Sequence, residues 1–185
     1  ENGWKEYEWR FKKEEMIPHI IRHKDIFSKP LFTGAEDIKG KILLLHSEQG
    51  YGDSIQFIRF LPQIKEKFGC KIAVKCREGL KELFQTMSEI DVIADRNEAT
   101  PQFDYQLSIM SMPFVLGMKS INDLPKRIPY LKSTPYKELE IKKEKGKINI
   151  GICWSASVTG ESYEGKVFDL KFFEPLINNP KINLY

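Results

Sequence analysis

Apolar residues along the chain fall into short unbroken runs separated by longer stretches in which an apolar side chain returns every third or fourth position. The runs at 42–45, 71–76, 91–94 and 105–107 predict strands buried on both faces. Between them, Ile55, Ile58, Leu61, Ile64 and Phe68 share one face of a helix predicted over 54–68, with Pro62 expected to bend it. A second helix is expected over 79–87. Strands alternating with helices in this way predict an α/β fold with a parallel sheet and right-handed crossovers.

The pattern differs on either side of this block. Residues 3–15 read as a helix whose Trp4, Tyr7, Trp9 and Phe11 are too many large aromatics for an isolated surface helix, so it needs something to pack on. A connector over 16–40, punctuated by Pro18, Pro30 and Gly34, is long enough to wrap a neighbouring surface. After 133 the chain turns charged and apolar-poor, as in a linker. A strand at 148–153, a polar loop over 154–166, a helix over 170–177 and a final strand at 182–185 then read as a second α/β unit cut short. The expected boundaries are 1–40 for the helical segment and connector, 41–132 for the first α/β domain, 133–146 for a linker and 147–185 for the start of the second. No internal repeat at a fixed period is visible.

Composition narrows the function classes. A chain of 185 residues, 41% hydrophobic and 12% aromatic, can bury a real core. A net charge of +3 among 30% charged residues is too small a bias to imply a polyanion, so no nucleic-acid partner is expected. No apolar run is long enough for a transmembrane segment and no secretory signal opens the chain, which leads to an expectation of a cytoplasmic protein. Cys70, Cys76 and Cys153 are odd in number and lack C-x-x-C spacing, which fits reduced core thiols rather than disulfides or zinc. The start at Glu1 and the stop at Tyr185 inside an apolar run suggest a piece of a larger protein.

The chemistry concentrates where the 42–45 strand runs into His46-Ser47-Glu48-Gln49-Gly50-Tyr51-Gly52-Asp53. A strand, a glycine turn and a helix start give a backbone that can bend sharply toward a ligand, beside N–H groups carrying partial positive charge. The dinucleotide fingerprint is not met, because Ile55 stands where its third glycine belongs, although Arg77 after the second strand suits a 2′-phosphate. No Walker lysine follows either. Asp53 has two readings: a helix cap, for which aspartate is favoured anyway, or a general base taking a proton from a sugar hydroxyl. Gln56 and Arg59 lie further along the same helix as cleft residues, with Arg59 equally suited to a surface ion pair. His46 ends the strand as a buried imidazole or as a base near Asp53. His19 and His23 would share a face if their segment were helical, but no acidic or cysteine partner is evident nearby, so no metal site is expected. The loop after Trp154, with Ser155, Ser157 and Thr159 and then Lys166, suits phosphate oxygens or is an ordinary turn-rich loop.

Several of these residues carry a family likeness. The segments 4–10, Pro30, Gly34, 40–44 and above all the long motif 48–60 resemble bacterial TPR-repeat glycosyltransferases related to the heptosyltransferases. Residues 103–105, 111–113, 128–131 and 151–154 follow in the same order, so the resemblance runs through nearly the whole chain. It implies a GT-B architecture: a Rossmann-like acceptor-side domain, a second Rossmann-like donor-side domain truncated here, and an N-terminal TPR-like helix whose aromatics packed on further repeats. It implies inverting, metal-independent transfer from a nucleotide-sugar donor to a glycan, lipid-linked or protein acceptor, with no cofactor and with protein partners through the TPR region. On this resemblance Asp53 matches the catalytic base and Gly50 and Gly52 match the glycine turn, with Gln49, Gln56 and Arg59 beside them as substrate-binding residues. Ser155 matches the start of the donor-phosphate loop and Lys166 stands near its end; this chain has Ser155-Ala156-Ser157 and Lys166-Val167 where family members often read Trp-Ala-Gly-Asn and Arg-Ser. A fragment with so little of the donor half is expected to be inactive alone. The alternative from another class is a catalytically silent α/β module that docks proteins.

Overall fold

A computed structural model of the chain describes residues 3–14, 24–133, 141, 144–154 and 168–185. The chain divides into two compact units, Glu1–Thr134 and Pro135–Tyr185. In the first, strands β1 (Ile42–His46), β2 (Lys71–Cys76), β3 (Val92–Asp95) and β4 (Tyr105–Ser108) form one sheet in the order β3-β2-β1-β4. All three pairings are parallel, with Leu44 opposite Ala73 and Gln106, and Lys75 opposite Ala94. The α/β class with a Rossmann-like parallel sheet is therefore observed.

The strands are buried because nearly every inward position is apolar. Leu43 and Leu45 of β1 and Ile72, Val74 and Cys76 of β2 point into the larger core, while Leu44 and Ala73 point to the other side. The larger core is covered by helices: Leu61 and Ile64 of α4 (Leu61–Phe68), Phe84 of α5 (Lys81–Phe84), and Met112 and Val115 of α6 (Met112–Leu116). The opposite face has a small cluster, to which α2 (Lys24–Phe27) contributes Ile26 and Phe27 and the β3–β4 connection contributes Phe103. This division follows from handedness. From β1 to β3 the chain steps one way along the sheet; reaching β4 reverses direction, so a right-handed crossover passes over the other face.

Several sequence expectations change in detail. The helix expected over 54–68 is two helices, α3 (Tyr51–Phe57) and α4, joined by a 3₁₀ turn at Ile58–Phe60. Pro62 lies in the first turn of α4, where its missing N–H costs no hydrogen bond, so it starts a helix where an interior bend was expected. The 79–87 helix shrinks to the four residues of α5, and the Met- and Pro-rich stretch after β4 forms a 3₁₀ turn at Ile109–Ser111 followed by α6. At the N-terminus, α1 (Gly3–Tyr7) continues as a 3₁₀ helix at Glu8–Lys12. Trp4 meets Phe57 edge-on at 6.0 Å and packs on the core of this same unit, whereas Trp9 is 57% exposed.

The described part of the connector, 24–40, packs along the sheet of its own unit. Leu31 bridges Gln106 in parallel, the Phe32 N–H reaches the Gln106 carbonyl at 2.9 Å, and the Gln106 N–H reaches the Pro30 carbonyl at 3.0 Å. It thereby covers the open edge of β4. Close approach to α6 is made possible by Gly34, at φ +92, where an added Cβ would meet the Val115 carbonyl at 3.2 Å.

The second unit pairs β5 (Ile148–Ile150) with β6 (Ile182–Leu184) in parallel, and a 3₁₀ turn at Leu170–Phe173 and α7 (Glu174–Ile177) precede β6. Ile148, Phe168 and Phe172 are exposed on it. Among the described residues, no helix is long and apolar enough to cross a membrane.

Gly34→Ala should destabilise the protein by about 1–2 kcal/mol in urea unfolding, from the left-handed backbone and the Val115 clash together. Gly52→Ala, in the first turn of α3 with open space around it, should be neutral or stabilise by up to about 1 kcal/mol. Equal losses at both positions would contradict this assignment.

Candidate functional site

The C-terminal ends of parallel strands carry the loops that bind ligands in open α/β sheets, above all where the strand order reverses. Here the reversal lies between β1 and β4, and the β1–α3 loop emerges beside it. Two arrangements share this edge: a buried polar network made with the N-terminal segment, and an open polar cleft.

The network centres on Arg10. Its Nε donates to Glu48 Oε1 at 2.6 Å, one Nη to Glu8 Oε1 at 2.7 Å and the other to the Ser111 hydroxyl at 2.7 Å. Ser111, fully buried, donates its own hydroxyl hydrogen bond to the Glu8 carboxylate, whose oxygens are both 2.9 Å away. The Arg10 and Glu48 side chains are 9% and 2% exposed, so this is a buried ion pair. Burial pushes the Glu48 carboxyl above its ordinary value, and the Arg10 charge opposes the shift. Tyr7 joins the same network: its hydroxyl accepts from the Gln49 amide at 3.0 Å. Burial raises its phenol, Arg10 and the Gln49 bond oppose, and Glu48 and Asp53 add to the rise. Neither Glu48 nor Arg10 had been singled out as a site residue from the sequence. The signals that could have found them were the place of Glu48 just after an apolar strand end and the place of both residues in the segments 4–10 and 48–60 that carry the family likeness.

The cleft has a volume of about 770 Å³ and lies over the ends of β1, β2 and β3. His46, Ser47 and Glu48 line one side, and Lys75, Cys76 and Arg77 the next. The β3–β4 connection adds Arg96 and residues 98–100, and α2 adds Asp25 and Ile26. Lys75 is 7% exposed and donates to the backbone carbonyl of Glu98. His46 is fully buried, with Nε2 and the Gln106 side-chain oxygen 2.9 Å apart and the Phe27 ring edge-on at 5.4 Å. That geometry belongs to a buried imidazole held through Nε2 by the neighbouring strand.

The sequence-predicted residues are distributed as follows. Asp53 is on the first turn of α3 and its Oδ2 accepts the Gly50 N–H at 2.9 Å, which is the geometry of a helix cap. Among the described residues Oδ1 makes no hydrogen bond. Gly50 has φ −67 and Gly52 is not in the left-handed region, so the loop does not depend on glycine's freedom as expected. An added Cβ at Gly50 would stand 3.0 Å from Asp53 Oδ2, so the carboxylate would have to shift slightly. The Gln49 carbonyl accepts from Arg77 at 2.7 Å, which joins the loop to the end of β2. Gln56 is exposed. Arg59 turns away: Nη2 donates to the Pro125 carbonyl at 2.9 Å and the guanidinium lies 5.4 Å from the Tyr130 ring centre. Ser155, Lys166, His19 and His23 lie outside the described residues. Among the described residues, no three His, Cys, Asp or Glu side chains are grouped to hold a metal ion. Cys70 and Cys76 are buried thiols, and burial pushes both up to about 11. Cys153, also unbridged, is exposed.

No protein-family model matches the chain. Protein FlbA of Caulobacter vibrioides is 25% identical over 205 residues, an alignment covering 97% of this chain and 33% of FlbA. The chain therefore spans about a third of the length of that curated relative. Among solved structures, the bacterial iron-containing dodecameric glycosyltransferase TibC of enterotoxigenic E. coli H10407 overlaps with a TM-score of 0.42 at 9% identity, over 63% of this chain and 34% of that one.

Removing one side of the buried pair should be costly. Arg10→Met, which leaves Glu48 charged and buried, should lower stability by about 3 kcal/mol in urea unfolding; a loss under about 1 kcal/mol would mean that water reaches the pair. Glu48 also sets a pH dependence. The folded state holds its proton to higher pH than the unfolded chain, so its contribution is present below the ordinary carboxylate range and is lost as pH rises through the raised value. The stability of the wild type relative to Glu48→Gln should therefore decline as pH rises from about 4 toward neutrality. A difference constant across that range would contradict the shift.

Proposed function

We propose that this chain is the acceptor-side part, with the start of the donor-side part, of a longer glycosyltransferase that uses a nucleotide sugar. One observation carries this reading. The loop leading into the long Glu48-to-Phe60 motif, through His46, Ser47 and Glu48, forms one wall of a polar cleft at the C-terminal edge of a parallel sheet, where such folds take ligands; Asp53 follows on the first turn of α3, outside the cleft lining. In the proposed reaction, an acceptor hydroxyl oxygen bonds to the anomeric carbon as the carbon–oxygen bond to the diphosphate breaks. Asp53 takes the hydroxyl proton on Oδ1 while Oδ2 stays on the Gly50 N–H, so base and loop are positioned together. The leaving diphosphate departs with the bonding electrons, steadied by Ser155 and Lys166 on the strength of the sequence resemblance alone.

A second reading is favoured by the same hydrogen bond. Asp53 already has a structural task as a cap, which is all that a silent protein-docking module asks of it.

Asp53→Asn separates the two, because an asparagine oxygen can still accept the Gly50 N–H but cannot take a proton. In the full-length protein, with nucleotide sugars and chelator present, the variant should lose at least about 100-fold in transfer while stability changes by less than about 0.5 kcal/mol. Transfer unchanged by the substitution would remove Asp53 as the base, and no turnover of any donor by the wild type would favour the docking module. The isolated chain should show no transfer; turnover by it would place the whole reaction within these residues.

A further inference from the structure

We propose that the cleft over β1, β2 and β3 is a binding site for a phosphate group, held by Lys75, Arg77 and Arg96. The inference is carried by the charge balance of the cleft and stands whether or not the protein transfers sugars.

Three carboxylates and three cations line the cleft, but they are not equivalent. Each carboxylate is already engaged. Glu48 is paired with Arg10 at 2.6 Å, and Glu98 with Lys81 at 2.5 Å and the Asp95 N–H at 2.9 Å. Asp25 accepts the Thr100 hydroxyl at 2.5 Å. Arg10 and Lys81 are not cleft-lining residues, so they neutralise Glu48 and Glu98 without using the cleft's own cations, which leaves the cleft with three cations against the single acid Asp25.

None of the three cations makes a direct ion pair among the described residues. Lys75 is buried and its amine donates to the Glu98 backbone carbonyl, with its charge also acting on the Glu98 carboxylate. Arg77 gives one N–H to the Gln49 carbonyl and lies 4.8 Å from the Tyr51 ring centre, which fixes its plane, while its Nε is buried with no acceptor. A buried guanidinium N–H without a partner is costly unless something else accepts it. Arg96 is exposed at the mouth and makes no hydrogen bond or ion pair among the described residues. Two planar forks and one ammonium around a concavity of this size suit a dianion with three acceptor oxygens better than a single carboxylate. The cleft's size fits a small phosphorylated molecule.

Calorimetric titration of the chain with inorganic phosphate and, separately, with a hexose 1-phosphate tests this. Saturable one-to-one binding is expected for one or both probes: binding of both means that the phosphate is recognised by itself, and binding of the ester alone means that the ring is held as well. Arg77→Gln and Lys75→Met should each weaken binding about tenfold or more. Arg96→Gln, at an exposed position where folding is not at stake, should weaken it several-fold. Lys126→Gln, on a different cavity, should leave it unchanged. Absence of saturable binding by either probe would overturn the proposal. So would binding that survives both Arg77→Gln and Arg96→Gln in folded protein, or binding that Lys126→Gln weakens equally.

Discussion

The first unit depends on β1 being hydrogen-bonded on both edges and buried on both faces. Leu43, Leu44 and Leu45 have no exposure, and their neighbours are fixed in register by β2 on one side and β4 on the other. A strand so held cannot slip by a residue without turning its apolar set into the wrong core. The position at which it stops, His46, therefore sets where the following loop emerges, and everything chemical in this unit lies on or around that loop.

The two faces of the sheet are covered unequally, and the cleft follows from this. Helices α4, α5 and α6 fill one side with large apolar residues, whereas on the other side the described residues give a smaller cluster of Ile26, Phe27, Phe103 and a few neighbours. His46, Lys75 and Gln106 have room on that thinly covered side, which in a doubly wound fold a crossover helix would occupy. The β3–β4 connection is a loop there, so the space becomes a polar cavity. On the switch-point side the N-terminal segment closes the edge through the Arg10–Glu48 pair, an interaction that stabilises only because both partners are present and hydrogen-bonded.

Asp53 shows how one side chain can satisfy a structural and a chemical reading at once. Its position at the start of a helix is sufficient to explain its cap, and the cap leaves one carboxylate oxygen available. Gly50 fits the same picture. An added Cβ there would press on Asp53 Oδ2, and the turn itself is not one that only glycine could make.

What the sequence determined by itself was local and periodic. The runs at 42–45, 71–76, 91–94 and 105–107 became β1 to β4 within a residue or two, because strands buried in a parallel sheet are mostly apolar and the chain records that directly. The strand–loop–helix junction was legible for the same reason, and so was the capping role open to Asp53. Helix lengths were not, since the 54–68 pattern is equally apolar whether the backbone is continuous or broken by a 3₁₀ turn. Only the tertiary structure brought Arg10 to Glu48, Lys75 to the Glu98 carbonyl and Arg77 to Gln49, pairs separated by 38, 23 and 28 residues. No spacing rule connects such residues, because their partners are chosen by which strands lie side by side and which face a crossover takes.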